Sequence, residues 1–516
     1  GPGPRRDPVR ALALPRRDVL LVAAGSLLLV LAYPPFHLFV PSFVCLVPAV
    51  WLIVGGEADP RPLKRLLVQG FWFGLLSNGL VLYWMVVALW HFTPLSALGY
   101  AATIAILALW SAGLFAAAGW VRRRTGLGLL VIFPMLWTAV EWGVGHQGDI
   151  RFPWLGLGTS LTRFPVVVQI ADLVGARGVT FLLALANTAL ALAWLARRER
   201  ARAVRLAGGV LVGLALALVY GAARVRTLAL KPIGQVAVIQ PNVGFDEKWR
   251  ADKDSLVSEL LRLSTDVIRE TEPRLAIWPE AAVPGYFLNH PDWESRIQAH
   301  AAETGVPLVV GALDARERPG GWDYYNAAFV YHADGRRAPE PPYRKNYLVP
   351  IVERVPFVNP RWFDQLQWFG GAAPGEPGPV YRLPLGAFGI LICYESAFED
   401  LPRRYRRLGA DFLVNVTNDA WYGRTSAAYQ HPAHLVMRAI ETRMGIARAA
   451  NDGVSEFVDP LGREHLRTGK EVQTTEAGEV FTTDARTVYV VLGDWVGWLS
   501  LVGTLALVGA AWWRKP

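Results

Sequence analysis

Cysteine is nearly absent from this chain: two thiols, Cys45 and Cys393, stand in 516 residues. That excludes a disulfide framework and a thiolate metal cluster. Cys45 lies inside an apolar run, so no structural bridge between the two is expected. Other signatures are missing as well. The sequence has no G-x-S-x-G turn, no P-loop, no HExxH pair, no internal repeat and no low-complexity tract. Serine-elbow hydrolysis, P-loop phosphate chemistry and zincin metal chemistry are set aside with them. Charge is sparse at 18% of residues while hydrophobic residues reach 53%, a balance too apolar for an ordinary soluble protein. The net charge of +9 sits largely in short Arg/Lys clusters beside apolar runs, which argues for membrane orientation and against nucleic acid as a partner. The opening Gly-Pro-Gly reads as the scar of a cleaved expression tag.

What the chain has instead is length in its apolar stretches. Eight runs, 19–33, 38–53, 66–90, 95–120, 127–144, 179–195, 206–222 and 495–512, approach the roughly 20 residues needed to cross a bilayer core. Segment 151–175 is too polar and broken for a ninth, and reads as a surface loop or interfacial segment. Every second connection is basic: Arg5, Arg6, Arg10, Arg16 and Arg17; then Arg61, Lys64 and Arg65; then Arg122, Arg123 and Arg124; then Arg197, Arg198, Arg200, Arg202 and Arg205; and finally Arg514 and Lys515. The positive-inside rule then places both ends in the cytoplasm and the long insert before the last run outside. Arg224 and Arg226 fall on the wrong side of this pattern. Asn78, His91 and Glu141 are polar residues in or at the edge of apolar runs, where function, snorkelling and interhelical hydrogen bonding explain them about equally well.

The expected division is a basic N-terminus at 1–18, a membrane domain of seven helices at 19–225, an extracytoplasmic domain at 233–487, an eighth span at 495–512 and a cytoplasmic tail at 513–516. The insert has its own composition. "QVAVIQPN", "RLAIWPE", "GVPLVVGAL", "NAAFVYHADG", "FGILICYE" and "ADFLVNVTND" are short β-rich runs that end in polar residues. Between them lie helical patterns such as "DKDSLVSELLRLSTDVIRETE", with Leu256, Leu260, Leu261, Leu263 and Ile268 as its apolar stripe. Alternation of this kind predicts an α/β domain, whose sites lie just beyond the carboxyl ends of strands.

Three strand ends carry reactive groups: Glu280 closes "LAIWPE", Cys393 closes "GILIC", and Lys345 lies in "YRKNYLVPIVERVP". A thiol is a weak nucleophile until ionised. A carboxylate can take its proton, and an ammonium can stabilise the thiolate and a developing oxyanion. A helix starting at Cys393 would add the Tyr394 N–H to that oxyanion site. Each residue also has an unreactive reading: a small buried cysteine, a carboxylate at a helix N-terminus, a solvated lysine. His431 and His434 with Glu441 lack metal-ligand spacing and read as structural. "NDAWYG", with Trp421 and Tyr422, reads either as an ordinary turn or as a loop carrying aromatics over the site.

The words around these residues, "LAIWPEAAVPG", "YRKNYLVPIVERVP", "LICYESAFED" and "VNVTNDAWYG" in that order, resemble the nitrilase superfamily. Set between seven apolar runs and a last one, they resemble the apolipoprotein N-acyltransferase family of the bacterial inner membrane. The resemblance implies a multi-pass α-helical membrane domain plus an α/β nitrilase-like domain, a four-layer α-β-β-α sandwich. Carried over, the family's base falls on Glu280, its lysine on Lys345 and its nucleophile on Cys393. Glu353, Tyr394 and Glu395 match supporting positions, and Trp249 in "PNVGFDEKW" matches a tryptophan near the substrate. Trp421 and Tyr422 are further candidates for substrate contact. "LVPIVERVP" departs from the family's usual Phe-Gly before the glutamate, and "AANDGVS" from its Thr-Asn pair.

The implied activity is transfer of a fatty acyl chain from a phospholipid donor, through a Cys393 thioester, to the α-amino group of a diacylglyceryl apolipoprotein. No cofactor and no metal are expected. Two alternatives remain open from the residues: a membrane-tethered amidase or nitrilase acting on a small substrate, and a non-catalytic lipoprotein-binding scaffold.

Overall fold

The computed structural model describes residues 13–90, 96–359 and 371–514, except the side chains of Ser96, Phe245, Asp246, Trp249 and Leu288. His91 and the first basic cluster up to Arg10 lie outside the described residues, as does Lys515. The first half is helical: α1 (Arg16–Ala32), α2 (Phe39–Val44), α3 (Val47–Gly56), α4 (Pro62–Val81), α5 (Trp84–Trp90), α6 (Ser96–Thr125), α7 (Leu129–His146), α8 (Ala171–Leu195) and α9 (Arg200–Thr227). Among the described residues six helical stretches, one of them α2 and α3 taken together, are long and apolar enough to cross a membrane. The bent pair α4/α5 makes a seventh. Helix α9 buries only Gly221, and its Leu211, Val212, Leu216 and Val219 are exposed. Apolar surface of that extent is a liability in water and ordinary in lipid. A Cβ on Gly221 would stand 1.7 Å from the Val166 carbonyl, so the one buried point of the helix requires glycine.

Two expectations need correction. Run 66–90 is not one straight span: it breaks by 58° between α4 and α5. Hydropathy is continuous through the break, so the pattern carried no sign of it. Segment 151–175 is not a surface loop. Trp154, Leu157, Leu161, Val168 and Gln169 are buried, in a stretch of short 3₁₀ turns packed between the helices and the following domain. Its polar groups tolerate burial because they are paired: Gly158 N–H donates to Thr180 Oγ1 at 2.9 Å and Gln169 Nε2 to the Leu461 carbonyl at 2.7 Å.

The insert begins with β1 (Lys231–Gln240), then α10 (Phe245–Arg250), α11 (Lys253–Thr271), β2 (Ala276–Ile277), β3 (Val283–Tyr286), α12 (Pro291–Thr304), β4 (Leu308–Arg318), β5 (Gly321–Tyr331) and β6 (Tyr343–Arg344). It continues through β7 (Tyr381–Leu383), β8 (Gly386–Ile392), α13 (Asp400–Arg407), β9 (Phe412–Thr417), α14 (Ala427–Thr442), β10 (Gly445–Ala450), β11 (Glu456–Val458), β12 (Glu464–His465), β13 (Thr474–Thr482) and α15 (Val488–Leu492). The last apolar run is α16 (Trp495–Trp513). One sheet runs β13-β1-β2-β4-β5-β6 with β3 beside β4, and the other β12-β11-β10-β9-β8-β7. Strands β1, β2 and β4 are mutually parallel, as are β8, β9 and β10, while β1 and β13 pair antiparallel from Lys231/Thr482 to Gln240/Thr474. The sheets face each other through β1 and β10. Helices α11 and α12 close the outer face of the first through Val257, Leu260, Trp293 and Ile297. Helices α13 and α14 cover the second. These are the four layers α-β-β-α.

Buried ions join the two halves. The Arg443 guanidinium, fully buried, donates to Asp172 Oδ2 at 2.6 Å and to Gln169 Oε1 at 2.6 Å. Asp172 also takes Arg224 Nε at 3.0 Å, which gives this arginine a fold-based reason for its place against the charge rule. Arg177 of α8 pairs with Glu399 and, at 2.8 Å, with Asp494. Removing one partner strands a buried charge, a loss of about 3–5 kcal/mol. Asp172→Ala is therefore expected to lower the melting temperature of the detergent-solubilised protein well below that of surface variants such as Glu259→Ala.

Candidate active site

Strand geometry brings Glu280, Lys345 and Cys393 to one place. Glu280 follows β2 and Lys345 follows β6 in the first sheet, and Cys393 follows β8 in the second. Gly311 on β4 makes room for the first: a Cβ there would stand 2.1 Å from the Pro279 carbonyl. Cys393 opens a 3₁₀ turn, Cys393–Ala397, with φ of 51°. That left-handed conformation, strained for a residue with a side chain, turns the chain sharply at the strand end. All three side chains line one cavity, and all are buried.

Lys345 is the hub. Its Nζ donates to Glu353 Oε1 at 2.8 Å and to Glu280 Oε1 at 3.4 Å. Asn326 Nδ2 bridges the same two carboxylates at 2.6 Å (Glu280) and 3.2 Å (Glu353). The second oxygen of Glu280 accepts the Asn418 N–H at 2.8 Å, and that of Glu353 the Val349 N–H at 2.8 Å. Burial works against the Lys345 ammonium, but Glu353 and Glu280 outweigh it and hold the group well above its usual range. Burial pushes the Cys393 thiol up, Glu280 adds to this, and Lys345 opposes it. Both raising effects favour the thiol over the thiolate, and Glu280, a carboxylate able to take a proton, lines the same cavity.

The supporting positions are structural ties. Tyr343 O–H and the Ile392 N–H donate to Glu395 Oε2 at 2.7 Å each, and the N–H groups of Asn346 (2.6 Å) and Tyr347 (3.2 Å) donate to Oε1. One carboxylate thus pins the nucleophile turn to the segment after Lys345. Burial pushes this carboxyl up to about 7 against those bonds. Tyr394 lines the cavity and donates to the Arg151 carbonyl at 3.0 Å. Trp421 and Tyr422 line the cavity too, and Tyr422 packs edge-on against Trp84 at 5.2 Å. Trp249 lies on α10, and its side chain is outside the described residues. Glu141 accepts from Leu157 N–H (3.0 Å) and Thr180 Oγ1 (2.9 Å), and Asn78 donates to the Gly74 carbonyl at 2.7 Å.

Sequence reasoning passed over three site neighbours inside motifs it quoted: Asn326, Asn418 and Lys248. Lys248 is buried, donates to the Glu280 carbonyl at 2.9 Å, and is brought down to about 8 by burial against the pull of Glu280 and Asp452. Its signal was its place one residue before Trp249. His431, His434 and Glu441 do not converge: among the described residues no group of His, Cys, Asp and Glu is arranged to hold a metal.

Two facing mixed sheets between helices, with carboxylate, ammonium and thiol at strand ends, place the domain in the carbon-nitrogen hydrolase class, and residues 235–477 match that family. Residues 25–189 match the apolipoprotein N-acyltransferase N-terminal domain. Apolipoprotein N-acyltransferases are similar over nearly the whole length. That of Geobacter metallireducens is 32% identical, covering 98% of this chain and 97% of the relative. Those of Chlorobaculum tepidum and Methylococcus capsulatus are 31% and 32% identical, each covering 93% of both chains. The chain belongs to the apolipoprotein N-acyltransferase family; it is an acyltransferase enzyme and a membrane protein.

The charges around the thiol yield opposite expectations for two substitutions. Glu280→Gln removes a charge that raises the thiol, so the pH profile of Cys393 alkylation by iodoacetamide moves down by about one unit, even as turnover falls. Lys345→Met moves the same profile up. Identical profiles in both variants would place the thiol out of reach of the pair.

Proposed function

We propose that this enzyme takes a fatty acyl chain from a membrane phospholipid and passes it, through a thioester on Cys393, to the α-amino group of an apolipoprotein's N-terminal diacylglyceryl-cysteine. Glu280 takes the thiol proton as sulfur attacks the ester carbonyl, and Lys345 faces the tetrahedral oxyanion. Collapse expels the lyso-phospholipid oxygen, which receives that proton. The acceptor amine then attacks the thioester, loses its proton to Glu280 and leaves as the amide, while sulfur regains the proton. Glu353 and Asn326 hold Lys345 and Glu280 in place. Trp421, Tyr422 and Trp249 are the proposed substrate contacts.

The observation that carries this reading is the cavity. It runs from Cys393, Glu280 and Lys345 to Ala88 and Leu89 of α5 and Ala102, Ile106 and Leu107 of α6. A polar acyl-transfer set thus opens onto an apolar wall built by helices of the membrane half, where an acyl chain can lie while water is kept from the thioester. The proposed setting is the bacterial inner membrane, crossed eight times. The alternating basic connections favour cytoplasmic termini and a periplasmic catalytic domain.

Intact-protein mass spectrometry after mixing with phospholipid tests the chemistry. One added acyl group is expected, removable by hydroxylamine, absent in Cys393→Ala and discharged by a diacylated lipopeptide. No adduct on protein that binds the phospholipid would refute the thioester route. Ala102→Phe, which fills the wall of the cavity, is expected to shorten the longest acyl chain accepted.

A further inference from the structure

Helix α14 presents two consecutive side chains that the proposed reaction leaves unused. His431 Nε2 lies 2.9 Å from the carbonyl oxygen of Cys393 itself. Its Nδ1 lies 2.9 Å from Asp419 Oδ1, which also accepts from Thr417 Oγ1 at 2.9 Å. The other oxygen of Asp419 takes Arg448 at 2.7 Å, and Arg448 donates further to Asn415 Oδ1 at 2.6 Å. Burial alone would raise the Asp419 carboxyl, yet Arg448 and His431 hold it well below the usual carboxylate range. His431, Asp419 and Arg448 have no exposed surface, and His431 does not line the cavity. The imidazole therefore touches the backbone of the strained residue, not the substrate.

Its neighbour Gln430 reaches the cavity wall, where Trp154 also packs against the His431 ring at 5.4 Å. Gln430 Oε1 accepts from two indoles, Trp84 Nε1 at 3.0 Å and Trp154 Nε1 at 2.9 Å. Its Nε2 donates to the Val81 carbonyl at 3.2 Å and the Pro34 carbonyl at 3.4 Å. Val81 is the last residue of α4, where the helix break leaves carbonyls without intrahelical partners. Both tryptophans line the cavity. Adjacent residues of one helix thus join the cavity wall to the carbonyl of the nucleophile.

We propose that His431 is a positioning residue that holds Cys393 in its left-handed conformation through the carbonyl, and that Gln430 ties this hold to the indoles lining the chain cavity. The inference rests on the reading of Cys393 as the acylated residue. His431 fixes the direction in which the sulfur leaves the turn. Gln430 makes that direction depend on where Trp84 and Trp154 stand, so the chain-binding wall and the nucleophile move as one unit.

The test uses the full chain in detergent micelles and reads the rate of Cys393 acylation against phospholipid concentration by mass spectrometry. A glutamine at 431 places an amide nitrogen near the Nε2 position and keeps the bond to the Cys393 carbonyl. An asparagine places it near Nδ1 and keeps only Asp419. Expected is a drop of about 10- to 100-fold in the maximal rate for His431→Asn, with half-saturation little changed, and near-wild-type rate for His431→Gln. Gln430→Met is expected to lower the maximal rate as well, and the double variant Gln430→Met/His431→Asn to lose no more than the worse single one.

If His431→Gln is the slow variant and His431→Asn the fast one, the role is packing around Asp419 and the proposal fails. Equal rates in both, or a loss confined to half-saturation, also overturn it. Additive losses in the double variant overturn the coupling through Gln430. Should His431→Asn not fold, loss of maximal rate in folded His431→Gln would count against the proposal and its retention for it. A wild-type enzyme that forms no acyl-cysteine refutes the underlying thioester reading, a result distinct from every one of these.

Discussion

A lysine ammonium with 1% of its surface exposed organises this molecule. Such a charge persists away from water only when carboxylates stand against it, and here Glu280 and Glu353 do so. Glu280 is itself buried and Glu353 half-buried, and both need donors, which Asn326, Asn418 and the Val349 amide supply. Asn326 comes from the middle of β5, Asn418 from just beyond β9 and Val349 from the loop after β6. The ends of β2, β6 and β9 and the middle of β5 are therefore held together by the electrostatics of Lys345 as well as by apolar packing between the sheets. Cys393 enters this arrangement from the opposite sheet, tied to it by Glu395.

Much of this was legible in the sequence. Short β-rich runs ending in polar residues marked the strands, and "LAIWPE", "RKNY" and "LICYE" marked three ends that do meet in one cavity. What stayed hidden has physical reasons. The 58° break in the third apolar run lies within continuous hydropathy, and the Val81 carbonyl at the break is met by Gln430, hundreds of residues away. The buried course of 151–175 depends on partners such as Leu461 and Arg443, which no local pattern encodes. Asn326 and Lys248 have common side chains in unremarkable surroundings; their roles follow from which strands the sheet order makes neighbours. Histidine spacing on α14 spoke against a metal but could not reveal that His431 meets the Cys393 carbonyl.

The membrane half and the catalytic domain share a continuous apolar core, and charge pairs join them as well. Arg443 with Asp172, and Arg177 with Glu399 and Asp494, are buried where helices meet the domain. Pairs of this kind are sensitive to geometry and reject a slipped register more sharply than apolar contacts do. They suit an enzyme whose apolar cavity wall is made by one half and whose reactive groups by the other.

The antiparallel pairing of β1 with β13 places the first and last strands of the catalytic domain side by side, Lys231 against Thr482. Chain entry and chain exit thus leave one edge of one sheet as neighbours. A self-contained α/β unit with adjacent ends can be spliced between two consecutive helices of a bundle without forcing them apart. From the bundle's side, the whole domain occupies the place of an ordinary interhelical loop. That geometry gives a route by which a soluble hydrolase scaffold could be grafted into a membrane protein in a single insertion.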